Sequence, residues 1–300
     1  MTEEIKKYFK SELSSVLFDE EMKKHTTFKI GGPADIFVDA ESPSEVLTAV
    51  KIAKETGLPR MIIGNGSNLL VSDKGIEGVV ICIGSRMNKI TVKENIIEAY
   101  AGALLSSVSN AAQRNSLTGL EFAAGIPGTL GGGVYMNAGA YDGELKNVVK
   151  SVTYIDDVIL KKAYKDELDF SYRHSMFSDK NFAVLSVELE LEHGNPDEIK
   201  AKMIELNRRR LEKQPLEYPS AGSTFKRPEG YYAGKLIQDS GLMGCSFGGA
   251  KVSEKHAGFV INTGNATAED VINLIEHIKK TVFEKFGVML EPEVKLTGRL

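Results

Sequence analysis

The sequence predicts an α+β protein, and three of its features carry that prediction. Helix-start signals recur: Ser42-Pro43 and Asn195-Pro196 each place a capping side chain before a proline at the first helical position, with an acid in the first turn. Apolar runs of strand length follow one another without an intervening helix, as at 148–155, 158–160 and 182–191. The 300 residues, 42% hydrophobic and 26% charged, are enough for more than one packed unit of ordinary globular composition.

Taken in order, residues 5–17 read as an amphipathic surface helix. Residues 26–38 read as an extended segment, interrupted at Gly31-Gly32-Pro33, which continues neither a helix nor a central strand. Ser42 caps a helix with Glu45 closing a capping box, a stripe of Val46, Ala49, Val50 and Ala53, and a stop at Gly57. A short strand at 61–63 runs into Gly64-Asn65-Gly66-Ser67-Asn68; strands at 79–83 and 96–100 and a helix at 104–115 follow. The strands at 148–155 and 158–160 turn at Asp156-Asp157. The helix opened by Asn195 runs to about Leu211, and Arg208, Arg209 and Arg210 suit the negative end of its dipole. Pro215 and Pro219 mark a boundary. Beyond it lie a helix at 233–239, a strand at 258–261, a long helix capped by Thr267 with a stripe of Val271, Leu274, Ile275, Ile278 and Val282, and a last strand at 293–296.

The net charge of −4 and the absence of a long basic block argue against nucleic acid as a partner. Cys82 and Cys245 form no C-x-x-C and the five histidines no H-E-x-x-H, so neither a disulfide framework nor a metal site is expected. The N-terminus lacks an apolar signal core and no apolar run reaches membrane-spanning length, so a cytoplasmic protein with no membrane partner is expected.

Residues 124–141, AGIPGTLGGGVYMNAGAY, are dense in glycine and poor in charge. A flexible linker would be polar; here Val134, Tyr135 and Met136 are embedded. The stretch reads either as a glycine-rich wall against a flat or phosphorylated ligand or as a tight turn entering a buried helix. There is no G-x-x-x-x-G-K-[ST], and Gly64 and Gly66 are followed by Leu69 where a dinucleotide fingerprint needs glycine. The segment after Ile63 could still form an anion-binding nest, or simply a hairpin turn.

The motifs I-G-N-G-S-N-L-L (63–70), G-I-P-G-T-L-G-G (125–132) and N-A-G-A-Y (137–141) resemble the FAD domain of the p-cresol methylhydroxylase/vanillyl-alcohol oxidase group. S-Y-R-H-S (171–175), A-G-S-T-F-K-R-P (221–228), A-G-K-L-I-Q (233–238), K-H-A-G-F-V-I-N (255–262) and L-E-P-E-V (290–294) narrow the resemblance to the UDP-N-acetylenolpyruvoylglucosamine reductase family, in its shorter class. The resemblance implies an FAD-binding part made of two α+β subdomains, 1–84 and 85–212, and a substrate-binding domain at 213–300 whose last strand returns to the flavin. It implies non-covalent FAD held by Ile63, Gly64, Asn65, Gly66, Ser67, Asn68, Gly125, Pro127, Gly128, Thr129, Gly132, Asn137, Gly139 and Ala140. NADPH and UDP-N-acetylglucosamine enolpyruvate would use one cleft in turn, in a monomer. Hydride would pass from flavin N5 to C3 of the enolpyruvyl group, and a proton to C2.

That chemistry sets the demands on side chains. Charge pushed into the carboxylate needs a fixed cation, and Arg173 is the candidate because a guanidinium grips a carboxylate in two places. The resemblance gives the proton to Ser223 and support of the enol to Glu293. It gives substrate contacts to Tyr172, Lys213, Lys226 and His256.

Overall fold

The computed structural model describes residues 2–178 and 180–299. The chain forms two compact units: Met1–Phe18, Ile36–Asn65 and Gly78–Arg210 make the first, and Asp19–Asp35, Gly66–Glu77 and Leu211–Leu300 the second.

The first unit is built on a five-stranded antiparallel sheet in the order Ile159–Tyr164, Val149–Asp156, Ala183–Glu190, Ile96–Tyr100, Ile90–Lys93. Asp157, at φ +57°, makes the turn expected at Asp156-Asp157. The β-rich middle of the sheet buries Val152, Ile155, Val187, Leu189, Ile97 and Ala99 in a single core with helices Pro43–Glu55 and Leu105–Arg114. The greater part of a second sheet also belongs here; it ends in a parallel pair that sets Arg60 opposite Val79 and Ile63 opposite Cys82. That pairing fixes where the chain leaves the sheet at Gly64.

The second unit packs helices Ala233–Asp239 and Ala268–Phe286 with a three-stranded antiparallel sheet, Ser246–Phe247, Ala250–Val252 and Val260–Asn262. Its core holds Phe28, Ile30, Leu70, Ile237, Val252, Leu274 and Ile278. Thr267 and Asp270 form the reciprocal capping box of the long helix, and the Asp73 carboxylate accepts from the N–H groups of Ala268 (3.0 Å) and Glu269 (3.3 Å). Four N–H groups at a helix start lack helical partners, so these side chains satisfy them. Lys295–Thr297 pairs in parallel with Leu69–Val71, Lys295 opposite Leu69.

Several expectations shift. The first helix ends at Glu12, not at residue 17, and Val16–Glu21 is a strand. The Asp39 N–H bonds the Ser15 carbonyl (3.1 Å), so sheet pairing overrides the local amphipathic pattern. Ser42 caps its helix, accepting from the Glu45 N–H (3.3 Å). The Glu45 carboxylate, however, does not close the box; it accepts from the N–H groups of Ser14 (2.9 Å) and Glu41 (3.0 Å). The last strand begins at Lys295, leaving Glu293 just ahead of it. The strand Ile90–Lys93 alternates half-buried and exposed residues but is only four residues long, too short a run to be read from sequence.

Candidate active site

In the first unit the two glycine-rich turns are brought side by side. Asn65 Nδ2 donates to the Pro127 carbonyl (2.6 Å), tying the turn after Arg60–Ile63 to the Gly125–Thr129 turn. A Cβ on Gly64 would lie 2.2 Å from Thr129 Oγ1, so only glycine fits there. Thr129 is itself committed, its hydroxyl accepting from the Gly132 N–H at the start of Leu130–Tyr135. Gly128 receives the Leu105 N–H (3.0 Å). Ile63 is buried in the sheet and presents backbone only.

The Asn137–Ala140 stretch serves the same unit differently. Asn137 is fully buried. Its amide donates to Glu144 Oε2 (2.8 Å) and the Ser171 carbonyl (3.0 Å) and accepts from the Lys146 N–H (2.9 Å). It therefore anchors the turn at 171–174, whose ends exchange backbone hydrogen bonds between Ser171 and His174 (3.1 and 3.2 Å). Tyr172 and Arg173 sit at the tip of that turn. Arg173 has φ +56°, a conformation disfavoured for a side chain of its kind. Its guanidinium lies 5.1 Å from the centre of the exposed Tyr172 ring and donates to the carbonyl of Gly139 (3.4 Å), which pairs with Glu144 in the small hairpin that also sets Ala140 opposite Gly143.

Arg210 is the residue that sequence reasoning missed. Arg208 and Arg209 pair with Glu205 on the surface, as suits the helix-end reading. Arg210 does not: it turns inward over Gly125, where a Cβ would come within 2.9 Å of its Cδ and 2.8 Å of Asn207 Oδ1. Burial pushes its guanidinium below the usual range, and the nearby Tyr141 hydroxyl works in the opposite sense. Among the described residues no carboxylate pairs with it. Arg210 is half-buried, and a cation so placed is eased by a negative group beside it. The only signal in the sequence was its 3.6-residue phase, which sets it apart from Arg208 and Arg209 on the helix.

In the second unit the backbone carries Ser223 and Glu293 together across 70 positions. The Glu293 N–H bonds the Thr224 carbonyl (2.8 Å), and Phe225 bridges Pro292. Asn68 completes the group: its Nδ2 donates to the Glu293 carbonyl (3.1 Å), and its own carbonyl accepts from Lys295 (2.9 Å). Gly66, held with a would-be Cβ 2.2 Å from the His25 carbonyl, and Ser67 precede it. Thr224 is locked by its hydroxyl, which accepts from the Val260 N–H (2.9 Å), so Ser223 stands on a rigid segment after Gly222 at φ +77°. Lys226 is closed on Glu291. Lys213 has no carboxylate partner among the described residues, and Gln214 Oε1 beside it is buried without a donor. His256 is partly buried, edge-on to Phe259 and accepting at Nδ1 from the Gly258 N–H (3.1 Å).

Glycine-rich turns packed against each other in the first unit, and backbone pairing that carries Ser223 and Glu293 on neighbouring segments of the second, are features that a flavin-dependent oxidoreductase of mixed α+β architecture would need. Residues 34–158 match the FAD binding domain family, and residues 214–297 match the UDP-N-acetylenolpyruvoylglucosamine reductase C-terminal domain. A UDP-N-acetylenolpyruvoylglucosamine reductase of Caldanaerobacter subterraneus is 57% identical, with 93% of each chain aligned. The crystal structure of the reductase (MurB) from Thermus caldophilus superposes with a TM-score of 0.80 at 35% identity, over 94% of this chain and 98% of that one. An alkyldihydroxyacetonephosphate synthase, at 14% identity and a TM-score of 0.51 over 64% of this chain and 41% of its own, shares the fold alone. The chain belongs to the UDP-N-acetylenolpyruvoylglucosamine reductase family.

Proposed function

We propose that Arg173, Ser223 and Glu293 act on one enolpyruvyl group in the reaction of this family, the NADPH-dependent, FAD-mediated reduction of UDP-N-acetylglucosamine enolpyruvate to UDP-N-acetylmuramate. The observation that supports this most directly is the backbone pairing that sets Glu293 beside the Ser223–Thr224 segment. The residues present suit FAD: uncharged glycine backbone for close approach, and Arg210, with no carboxylate partner among the described residues, for negative charge. When bound, FAD supplies the hydride chemistry.

Arg173 grips the substrate carboxylate as negative charge builds there; its tight turn fixes the guanidinium before the reaction begins, which is the condition for electrostatic stabilisation. Ser223 holds the proton that goes to C2, and Glu293 stabilises the enol form and replenishes that proton. Tyr172 flanks the carboxylate through its contact with Arg173. Lys213, with no acid partner among the described residues, takes the diphosphate, while Lys226 reaches substrate only by leaving Glu291. His256 is neutral and acts as a hydrogen-bonding group. NADPH and the nucleotide-sugar use one cleft in turn. The FAD-binding role falls to 1–84 and 85–212 and the substrate role to 213–300, although the compact second unit also takes in 19–35 and 66–77.

The test is Ser223→Ala in stopped flow. Bleaching of the flavin by NADPH proceeds normally, while reoxidation by the enolpyruvyl substrate slows about 10²–10⁴-fold. Equal slowing of both half-reactions would remove Ser223 from the proton-donor role.

A further inference from the structure

Ser223 lies between two points at which its segment is fastened. Downstream, Thr224 is held from both sides: its N–H bonds the Gly258 carbonyl (2.8 Å) and its hydroxyl accepts from the Val260 N–H (2.9 Å). Upstream, the Asn262 N–H bonds the Pro219 carbonyl (2.9 Å) and Ser220 bridges Ile261. The Ser220 carbonyl is taken by a separate part of the second unit, the Thr27 hydroxyl donating to it at 2.7 Å. Between the two fastenings lies Gly222, at φ +77° with open space where a Cβ would stand. A glycine so placed is a joint that backbone packing does not stiffen. The aim of Ser223 therefore depends on both fastenings, and the upstream one ends at Thr27.

Thr27 is itself held in place. Phe28 and Ile30, which follow it, are each 2% exposed in the core of the second unit. Asn262 Nδ2 donates to the Phe28 carbonyl (3.0 Å), and the Thr26 hydroxyl donates to the Ile30 carbonyl (3.1 Å) across a turn with Lys29 at φ +54°. A β-branched side chain has few χ1 choices, so the Thr27 hydroxyl is pointed by its backbone. The same segment packs against the Gly66 turn, which the resemblance sets against FAD. The Thr27 N–H bonds the Gly66 carbonyl (3.4 Å), and a Cβ on Gly66 would come within 2.2 Å of the His25 carbonyl and 2.9 Å of Thr26 Cα. One residue thus meets the Gly66 turn with its N–H and the Ser220 carbonyl with its hydroxyl. Hydride and proton go to adjacent carbons of one group, so the proton donor must be in register with the flavin, and a misplacement of about 1 Å costs about a hundredfold in rate. We propose that Thr27 is a positioning residue for the second half-reaction: by holding the Ser220 carbonyl, its hydroxyl sets where Ser223 presents its proton relative to the Gly66 turn. This rests on the proton-donor reading of Ser223 above, and Thr27 acts through that segment, not on the substrate.

The experiment is Thr27→Val, which puts a methyl group of similar size in place of the hydroxyl and keeps the backbone bond to Gly66. In stopped flow, bleaching of the bound flavin by NADPH proceeds at the unmodified rate. Reoxidation by the enolpyruvyl substrate slows about ten- to a hundredfold, with a larger solvent deuterium isotope effect than in the unmodified protein. The apoprotein binds FAD with unaltered affinity. Thr27→Ser, which restores the donor, restores reoxidation. Thr27→Val added to Ser223→Ala slows reoxidation no further, because the one acts through the other. Unchanged reoxidation in Thr27→Val overturns the positioning role. So does a Thr27→Val protein that fails to fold, loses FAD affinity or slows alike in both half-reactions, and so does a Thr27→Ser protein as slow as Thr27→Val. If Ser223→Ala alone slows both half-reactions equally, the proton-donor reading falls and takes Thr27 with it. If Ser223→Ala is selective and Thr27→Val is not, only the role of Thr27 falls.

Discussion

Gly64 and Gly125 fit their places in the first unit by lacking a side chain; Ser223 and Glu293 carry theirs on backbone that pairing holds fixed in the second. In the first unit two glycine-rich turns meet through Asn65 and Pro127, and what they offer a ligand is mostly backbone. In the second unit the backbone is consumed in pairing, from Thr224 to Glu293 and from Asn68 to Lys295, and what it offers is side chains set at fixed spacing. The contrast follows from what each part must hold. A cofactor that stays is best gripped by groups that cannot move. A reaction that protonates carbon needs a few functional groups held in register.

The cradle is accordingly the place where a small change does most damage. Gly64→Val puts a branched side chain where even a Cβ would lie 2.2 Å from Thr129 Oγ1. Thr129 cannot yield without losing the cap it makes for Gly132. Stability should fall by about 3 kcal/mol, the upper part of the overpacking range, and the purified protein should be colourless. Gly57→Ala is the matched control in the same unit: its Cβ meets open space and only the φ of +67° resists, for about 1 kcal/mol and no loss of colour. A yellow Gly64→Val protein would show that the two turns can part without releasing flavin.

Arg210 is the exception that relates the two kinds of design, a side chain placed within the backbone-built cradle. Arg210→Gln should weaken FAD binding about ten- to a hundredfold, the worth of one charged hydrogen bond. The flavin-free protein, relieved of a half-buried cation with no acid partner among the described residues, should melt at the same temperature or higher. Titration of apoprotein with FAD and a thermal scan of the apoprotein decide it together. Unchanged FAD affinity with a lower melting temperature would make Arg210 a packing residue over Gly125.

What could be read in the sequence divides along the same line. The turns of the cradle lie in contiguous glycine motifs, so their positions were legible before any fold was known, while their chemistry came only from resemblance to a family. The helices opened by Ser42 and Thr267 were legible because capping is local. Ser223 and Glu293 carry no local signal at all; resemblance to a family named them, and the pairing of Phe225 with Pro292 supplies the physical reason they meet. Asn137 was named as a cofactor contact by resemblance to the family; in the fold its amide is turned inward to brace the Arg173 turn. Arg210 was hidden by its neighbours: three arginines in a row look alike until the helix assigns each a face. The strand at Val16–Glu21 was lost because its partner lies at Pro33–Asp39, outside any local window.

The smallest expected effect tests the side-chain design of the second unit at its edge. His256 accepts the Gly258 N–H at Nδ1, so that nitrogen carries no proton in the folded protein. Burial is the main force lowering its pKa; a backbone hydrogen bond works against the shift and the charge of Lys213 adds to it. The ring therefore takes up its proton at lower pH when folded than when unfolded, where the value is about 6.5. Below about pH 6.5 the unfolded chain binds more protons, so the contribution of His256 to stability is fully present above that pH and is lost as pH falls toward the folded pKa. The carboxylates held low by hydrogen bonds and cations, among them Glu45, Glu188 and Asp270, lose their contributions only at more acid pH. Urea midpoints taken at about pH 7.5 and about pH 5.5 thus isolate the histidine. The unmodified protein should lose stability between them, and His256→Gln should lose less. Equal losses in the two proteins would mean that the Gly258 hydrogen bond survives protonation, and that His256 is not confined to its neutral form.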